Sequence, residues 1–190
     1  VILILLEELV RSGIEEICIV IGNDDERQQY RDFFERKLTD EHLSKLNNQC
    51  QEYENRIIAM GKRLHFVYQH EKRGFGHAVY QCSLFAGNEP VLLLLGDTIY
   101  KSHTNKPCCL QFIEQYERYN KPMIAIHPIP LDTVSHYGII TGVWENKQET
   151  VMSMTALCEK PTEDYAETNL KTHTRHSDVN YYSVFGQYIL

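Results

Sequence analysis

The run VLLLLGD, Val91 to Asp97, sets a carboxylate one glycine beyond five consecutive apolar residues. A charge carried to the end of a buried strand is costly unless something meets it. One candidate is Mg²⁺, a hard cation that accepts one or two carboxylates and completes its shell with water and substrate phosphates. The plainer reading has Asp97 capping the next turn through backbone amides. A second group follows in ALCEKP, where Glu159 and Lys160 are adjacent. Glu159 is an acceptor suited to sugar hydroxyls and Lys160 a cation suited to a phosphate. An exposed Glu-Lys pair before a proline turn is also ordinary surface chemistry. In HYGII, Gly138 stands at a strand start, where a missing side chain lets a flat sugar ring lie against backbone.

The third group is QHEKRGFGHAVY, Gln69 to Tyr80. Gln69 ends an apolar stretch, and its amide offers both a donor and an acceptor to a base edge. Gly74 and Gly76 permit positive φ and close backbone approach. The helix after them offers amides and a dipole that favour anions. A tight strand-to-helix turn explains the same residues. Neither G-x-G-x-x-G nor G-x-x-x-x-G-K-[ST] occurs, so the usual dinucleotide and P-loop signatures are missing, which argues against an oxidoreductase.

Six cysteines (18, 50, 82, 108, 109 and 158) show no C-x-x-C spacing. They read as buried, reduced thiols of a cytoplasmic protein. His173 and His176 in HTRH form a short histidine tract, read as a solvated loop before a metal site. The net charge of −7 argues against a nucleic-acid backbone or an anionic membrane as partner. The apolar runs VILILLEELV and PVLLLL are too short to span a bilayer.

The elements that must position these residues alternate. Residues 1–12 read as a helix ending at Gly13. IEEICIVIG reads as a buried strand. A helix capped by Asn23, Asp24 or Asp25 comes next. Residues 39–60 read as helical, stopped by Gly61. LHFVYQ is a strand, 75–86 a helix, PVLLLLGD a strongly buried strand, 107–120 a helix and KPMIAIHPI a strand. This rhythm predicts an α/β fold, a Rossmann-like and mostly parallel sheet flanked by helices. After Pro130 the helices stop, and YGIITGVW, TVMSMTALCEKP and VNYYSVFGQYIL predict an antiparallel extension. Residues 162–180 read as a polar, mobile loop. In open α/β sheets ligands bind beyond the carboxyl ends of strands, where Gln69, Asp97, Glu159 and Lys160 all fall.

Taken in order, EELVRSGIEEICIVIG, VYQHEKRGFGHAVYQC, PVLLLLGDTIY, YGIITG, EKP and NYYSVFGQYIL resemble the sugar-1-phosphate nucleotidyltransferases, and among them the uridylyl-transferring branch. The combination of Q-x-x-x-x-G-x-G-H-A with a later E-K-P carries most of the likeness. The resemblance implies one nucleotidyltransferase domain over 1–190 that makes UDP-glucose from UTP and glucose 1-phosphate with Mg²⁺. It implies that Gln69 and Gly74 recognise the uracil, Asp97 holds the metal, Gly138 and Glu159 contact the sugar, and Lys160 meets its phosphate. It further implies a homo-oligomer.

The chain departs from the family in three places. The G-x-G-T-R loop that holds the triphosphate is not in it, nor is the family's second metal-binding Asp. The chain also opens in mid-helix. The expectation is therefore a piece of a longer protein. GDTIY resembles the thymidylyl-transferring branch, which leaves thymine as an alternative base, and a non-catalytic nucleotide-sugar-binding relative as an alternative function.

Overall fold

A computed structural model describes residues 1–36, 38–175 and 180–190, with Asp40 described in its backbone only. The chain divides into two compact units. One comprises residues 2–90 and 101–110. The other comprises Val1, residues 91–100 and residues 111–190.

In the first unit, α1 (Ile2–Arg11) buries Leu5, Leu6 and Leu9 on one stripe, the i, i+3, i+4 spacing of an amphipathic helix. Gly13 follows at φ +90°, the left-handed position that glycine adopts without cost. The parallel pair β1 (Ile17–Ile21) and β2 (Leu64–Tyr68) aligns Ile17 with Leu64 through Ile21 with Tyr68. Helix α2 (Asp24–Phe34) is capped by Asn23, whose side chain accepts from the Glu26 N–H at 2.9 Å. Glu26 reaches back to the Gly22 N–H, also at 2.9 Å. One orphan donor of the helix entrance, and the amide just before the cap, are thus satisfied by two side chains.

The region expected as one helix from 39 to 60 forms two, α3 (Asp40–Lys45) and α4 (Asn48–Gly61). Thr39 and Asn47 each accept from the amide three residues on, and Asn47 in a capping conformation restarts the helix. The helix ends at Gly61, as expected. This glycine is the last helical residue, and a Cβ there would lie 2.6 Å from Phe34 Cβ. Its role is close approach of α4 to α2. Residues 75–86 also break in two, α5 (Phe75–Gln81) and α6 (Ser83–Ala86), at Cys82.

The second unit is built on the long strand β7 (Tyr181–Ile189). Strand β4 (Met123–Ile129) runs antiparallel along one edge, while β3 (Leu92–Leu94) and β5 (Gly138–Trp144) share the other. Strand β6 (Met152–Glu159) extends the sheet from β5. Among the described residues, parallel pairing is therefore confined to β1–β2, and the other sheet is five-stranded and antiparallel. The expected strand PVLLLLGD shortens to three residues and is half-buried rather than strongly buried. Helix α7 (Cys108–Tyr119) precedes β4.

Part of the stretch expected as a mobile loop at 162–180 is instead helical, α8 (Glu163–Asn169). Thr162 caps it, and Ala166 and Leu170 sit in a core cluster with Val134, Ile139 and Tyr181. Two apolar side chains four residues apart, Ala166 and Leu170, anchor an otherwise polar segment, too sparse a pattern for a periodicity reading. Thr172 and Asn180 then pair in a bridge. His176 lies outside the described residues. Among those described, no group of three His, Cys, Asp or Glu side chains gathers as a metal site.

Candidate functional site

In the first unit Gln69 follows β2, its N–H bonded to the Ile21 carbonyl at 2.8 Å. This continues the β1–β2 ladder by one residue and fixes where the side chain leaves. The Gln69 Nε2 donates to the Gly74 carbonyl at 3.1 Å and lies 3.2 Å from His77 Nδ1. Gly74, at φ +97° and ψ 178°, is the entry residue of α5. A Cβ at Gly74 would meet nothing within 4 Å, so the residue is required for its conformation and not for space. Gln69 and Gly74 are thus brought together as expected from the motif. The expectation of a helix N-terminus favouring anions is weakened, because α5 has only seven residues. The distinctive asset of this loop is the amide of Gln69.

In the second unit the turn after β6 is built around Lys160, a non-glycine residue at φ +49°. Such a backbone costs of order 1–3 kcal/mol and persists where neighbours over-determine it. Here the Lys160 N–H donates to the Tyr137 carbonyl at 3.0 Å, and Pro161 is buried behind it. Gly138 and Glu159 are register partners across β5–β6. A Cβ on Gly138 would lie 2.9 Å from Glu159 Oε2, so the glycine admits the carboxylate over the strand start. Glu159 and Lys160 meet at 4.0 Å, with side chains 70% and 63% exposed. So open an ion pair adds little stability; both groups stay available to a ligand. The structure therefore gathers Gly138, Glu159 and Lys160 into one cluster.

Asp97 is exposed on the turn that follows β3, and Thr98 Oγ1 donates to it at 3.4 Å. The turn is anchored from below. The Gly186 carbonyl accepts from the Leu95 N–H at 3.0 Å and from the Tyr100 hydroxyl at 2.8 Å. Gly186, at φ +71°, sits where the β4–β7 register shifts. A side chain there would crowd Thr98 Oγ1 and Tyr100 Oη at 3.1 Å each. Gly186 and Tyr100 were missed in the sequence. An isolated glycine inside the strand pattern SVFGQYIL was the available signal, since it marks a bulge or close backbone approach. One exposed carboxylate fits a cation held mostly by water and phosphate, and does not fit an all-protein cage.

Of the cysteines, Cys109 is buried, Cys50 is exposed and the rest lie between, so the uniformly buried set expected from sequence is not found. Cys18 and Cys82 bring their sulfurs within 3.8 Å. Their hydrogen bond pushes the Cys82 thiol down to about 7 and, with burial, pushes Cys18 up. Burial first, and then Glu8, pushes Cys109 up to about 12. A surface concavity of about 430 Å³ lies among Arg36, Leu38, Tyr53 and Arg56 and contains none of the candidate residues. Its position does not bear on this chemistry. No helix among the described residues is long and apolar enough to cross a membrane.

The chain is similar to known proteins over nearly its full length. It is 31% identical over 188 residues to a UTP–glucose-1-phosphate uridylyltransferase of Streptococcus pneumoniae serotype 4, covering 98% of this chain and 58% of the relative. It is 28% identical over 173 residues to the enzyme of the same name in Mycoplasma pneumoniae, covering 90% of this chain and 58% of the relative. Among solved structures, an apo UDP-glucose pyrophosphorylase matches with a TM-score of 0.78 at 27% identity, covering 98% of this chain and 63% of its own. A UDP-glucose pyrophosphorylase complexed with UDP-glucose matches at 0.74 and 26%, covering 98% and 62%. The chain thus spans about three fifths of the length of these relatives. The nucleotidyl transferase family model matches residues 1–190. With strand-end groups of the expected types and a match over every residue, the chain belongs to the nucleotidyl transferase family.

Proposed function

We propose that the protein bearing this chain is a uridylyltransferase that forms UDP-glucose and pyrophosphate from UTP and glucose 1-phosphate. The observation that supports this most is the Gly138–Glu159–Lys160 cluster. A carboxylate and an ammonium are displayed side by side, exposed and weakly paired, on a strained turn that two neighbours hold in place. Strain and exposure of this kind fit a ligand site better than a structural ion pair.

In the reaction, a phosphate oxygen of glucose 1-phosphate attacks the α-phosphorus of UTP in line, and pyrophosphate leaves with the bond electrons. No covalent protein nucleophile is needed. Positioning and charge neutralisation carry the rate. Lys160 meets the sugar phosphate and spreads its charge, while Glu159 accepts from glucose hydroxyls beside the open backbone of Gly138. Gln69 and Gly74 read the uracil edge. Asp97 holds Mg²⁺, which when bound neutralises triphosphate charge. The reading places the chain within one nucleotidyltransferase domain of a cytoplasmic homo-oligomer, with small-molecule substrates and neither nucleic acid nor membrane as partner.

The test is pyrophosphate release from UTP and glucose 1-phosphate, with and without Mg²⁺, and with dTTP in place of UTP. Mg²⁺-dependent turnover that Asp97→Ala and Lys160→Met each reduce at least tenfold is expected. Faster turnover with dTTP would move the reading to a thymidylyltransferase. Binding of UDP-glucose without turnover would favour a non-catalytic relative.

A further inference from the structure

His77 lies between two glutamines. Its Nδ1 is 3.2 Å from Gln69 Nε2 and its Nε2 is 3.0 Å from Gln81 Nε2. Both contacts are partly buried. A neutral imidazole has one N–H and one bare nitrogen, so the two amides cannot both present NH₂ to it. Which amide keeps its orientation is decided by its other contact. Gln69 Nε2 also donates to the Gly74 carbonyl at 3.1 Å. Turning that amide over would set two carbonyl oxygens face to face. Among the described residues, Gln81 has besides the ring only a contact to the His77 carbonyl at 3.5 Å, the outer limit of a hydrogen bond. Gln81 is therefore the one that turns, giving its Oε1 to the ring.

The rest follows. Gln69 donates one N–H to Gly74 and the other to His77 Nδ1, so the ring proton sits on Nε2. Both Gln69 donors are then consumed. Its Oε1, without a hydrogen-bond partner among the described residues, remains for a ligand. An unengaged acceptor takes a ring N–H such as the imide of uracil. It faces the bare ring nitrogen of cytosine as acceptor against acceptor. A mismatch of that kind leaves buried polar groups unpaired and discriminates strongly.

We propose that His77 is a specificity-positioning residue. As its Nε2–H tautomer it fixes the Gln69 amide with the oxygen turned away from the ring, and so selects a uracil-type imide over cytosine. The proposal rests on the base-reading role given to Gln69 above, and its failure can be told apart from failure of that role.

The test is calorimetric titration of the protein with UDP-glucose and with CDP-glucose, for the wild type and for His77→Ala, His77→Asn and Gln69→Ala. Asn places an acceptor oxygen where Nδ1 stood. The wild type is expected to prefer UDP-glucose. His77→Ala should lower that preference about tenfold, which corresponds to about 1.4 kcal/mol. His77→Asn should keep it within about threefold, a rescue that a purely structural histidine would not give. An unchanged preference in His77→Ala beside a lost one in Gln69→Ala overturns the role of His77 alone. An unchanged preference in both, or no preference in the wild type, overturns both roles. Imidazole ¹⁵N spectra give a ligand-free reading. A bare Nδ1 and protonated Nε2 at neutral pH, altered by Gln69→Ala, support the tautomer, and a protonated Nδ1 overturns it.

Discussion

Two glycines four residues apart on β5 should respond to alanine in opposite ways. At Gly138 the added Cβ would lie 2.9 Å from Glu159 Oε2, and ordinary contact begins at 3.4 Å. The carboxylate must retreat by about 0.5 Å, the difference of those distances. It can do so, because it ends a flexible side chain that is 70% exposed. Removing glycine's freedom in the unfolded chain returns about 0.4–1 kcal/mol. The net stability change for Gly138→Ala should be within about 0.5 kcal/mol of zero. At Gly142 the added Cβ would lie 2.0 Å from the Ser153 carbonyl oxygen and 2.8 Å from Met152 Cγ. Backbone cannot swing aside, so β5 and β6 must separate at their register shift. Gly142→Ala should cost at least about 2 kcal/mol, lowering Tm by roughly 4–8 °C.

Function should follow the reverse order. Glu159 displaced by its new neighbour loses a charge-assisted bond to a sugar hydroxyl, worth about 1.5–3 kcal/mol. Gly138→Ala should therefore weaken UDP-glucose binding roughly 10- to 100-fold with Tm nearly unchanged. Thermal unfolding by circular dichroism and calorimetric titration with UDP-glucose measure the two quantities. A Gly138→Ala protein that binds as the wild type does would refute the assignment of Gly138 and Glu159 to one ligand site. A Gly142→Ala protein as stable as the wild type would refute the packing argument.

Leu170→Ala should cost about 2–5 kcal/mol in a denaturant titration, because Leu170 is 1% exposed within the cluster that seats α8; a cost below 1 kcal/mol would remove α8 from the core. Asn23→Ala should cost about 1 kcal/mol by the same measurement, since its side chain satisfies the Glu26 amide. Cys82, with its thiol held down to about 7 by Cys18, should be alkylated by iodoacetamide at a rate that climbs as pH rises through 7 and its thiolate forms. Cys109, pushed up to about 12, should not react over that range, and peptide mapping would separate the two. In Cys18→Ala the climb should move to higher pH.

Local order was largely legible in the residues. Apolar runs bounded by Gly13, Asn23 and Gly61 fall close to the observed element ends, because caps and turn glycines act over three or four residues. Order across distance was less so. The restart of a helix at Asn47 gave a weak signal inside a polar stretch. Helix α8 gave almost none, because only Ala166 and Leu170 anchor it.

Candidate site chemistry was visible wherever a motif was contiguous. Gln69 with Gly74, and Glu159 with Lys160, are close in sequence, so side-chain type and spacing raised them as candidates, and only their combination in the family resemblance gave them roles. The sequence could not show that Gly138 faces Glu159 or that Gly186 supports the Asp97 turn. Those pairings join residues 21 and roughly 90 positions apart through strand register. Register is set by which side chains pack and which glycines admit a neighbour, and that is settled only when β5, β6 and β7 have found one another.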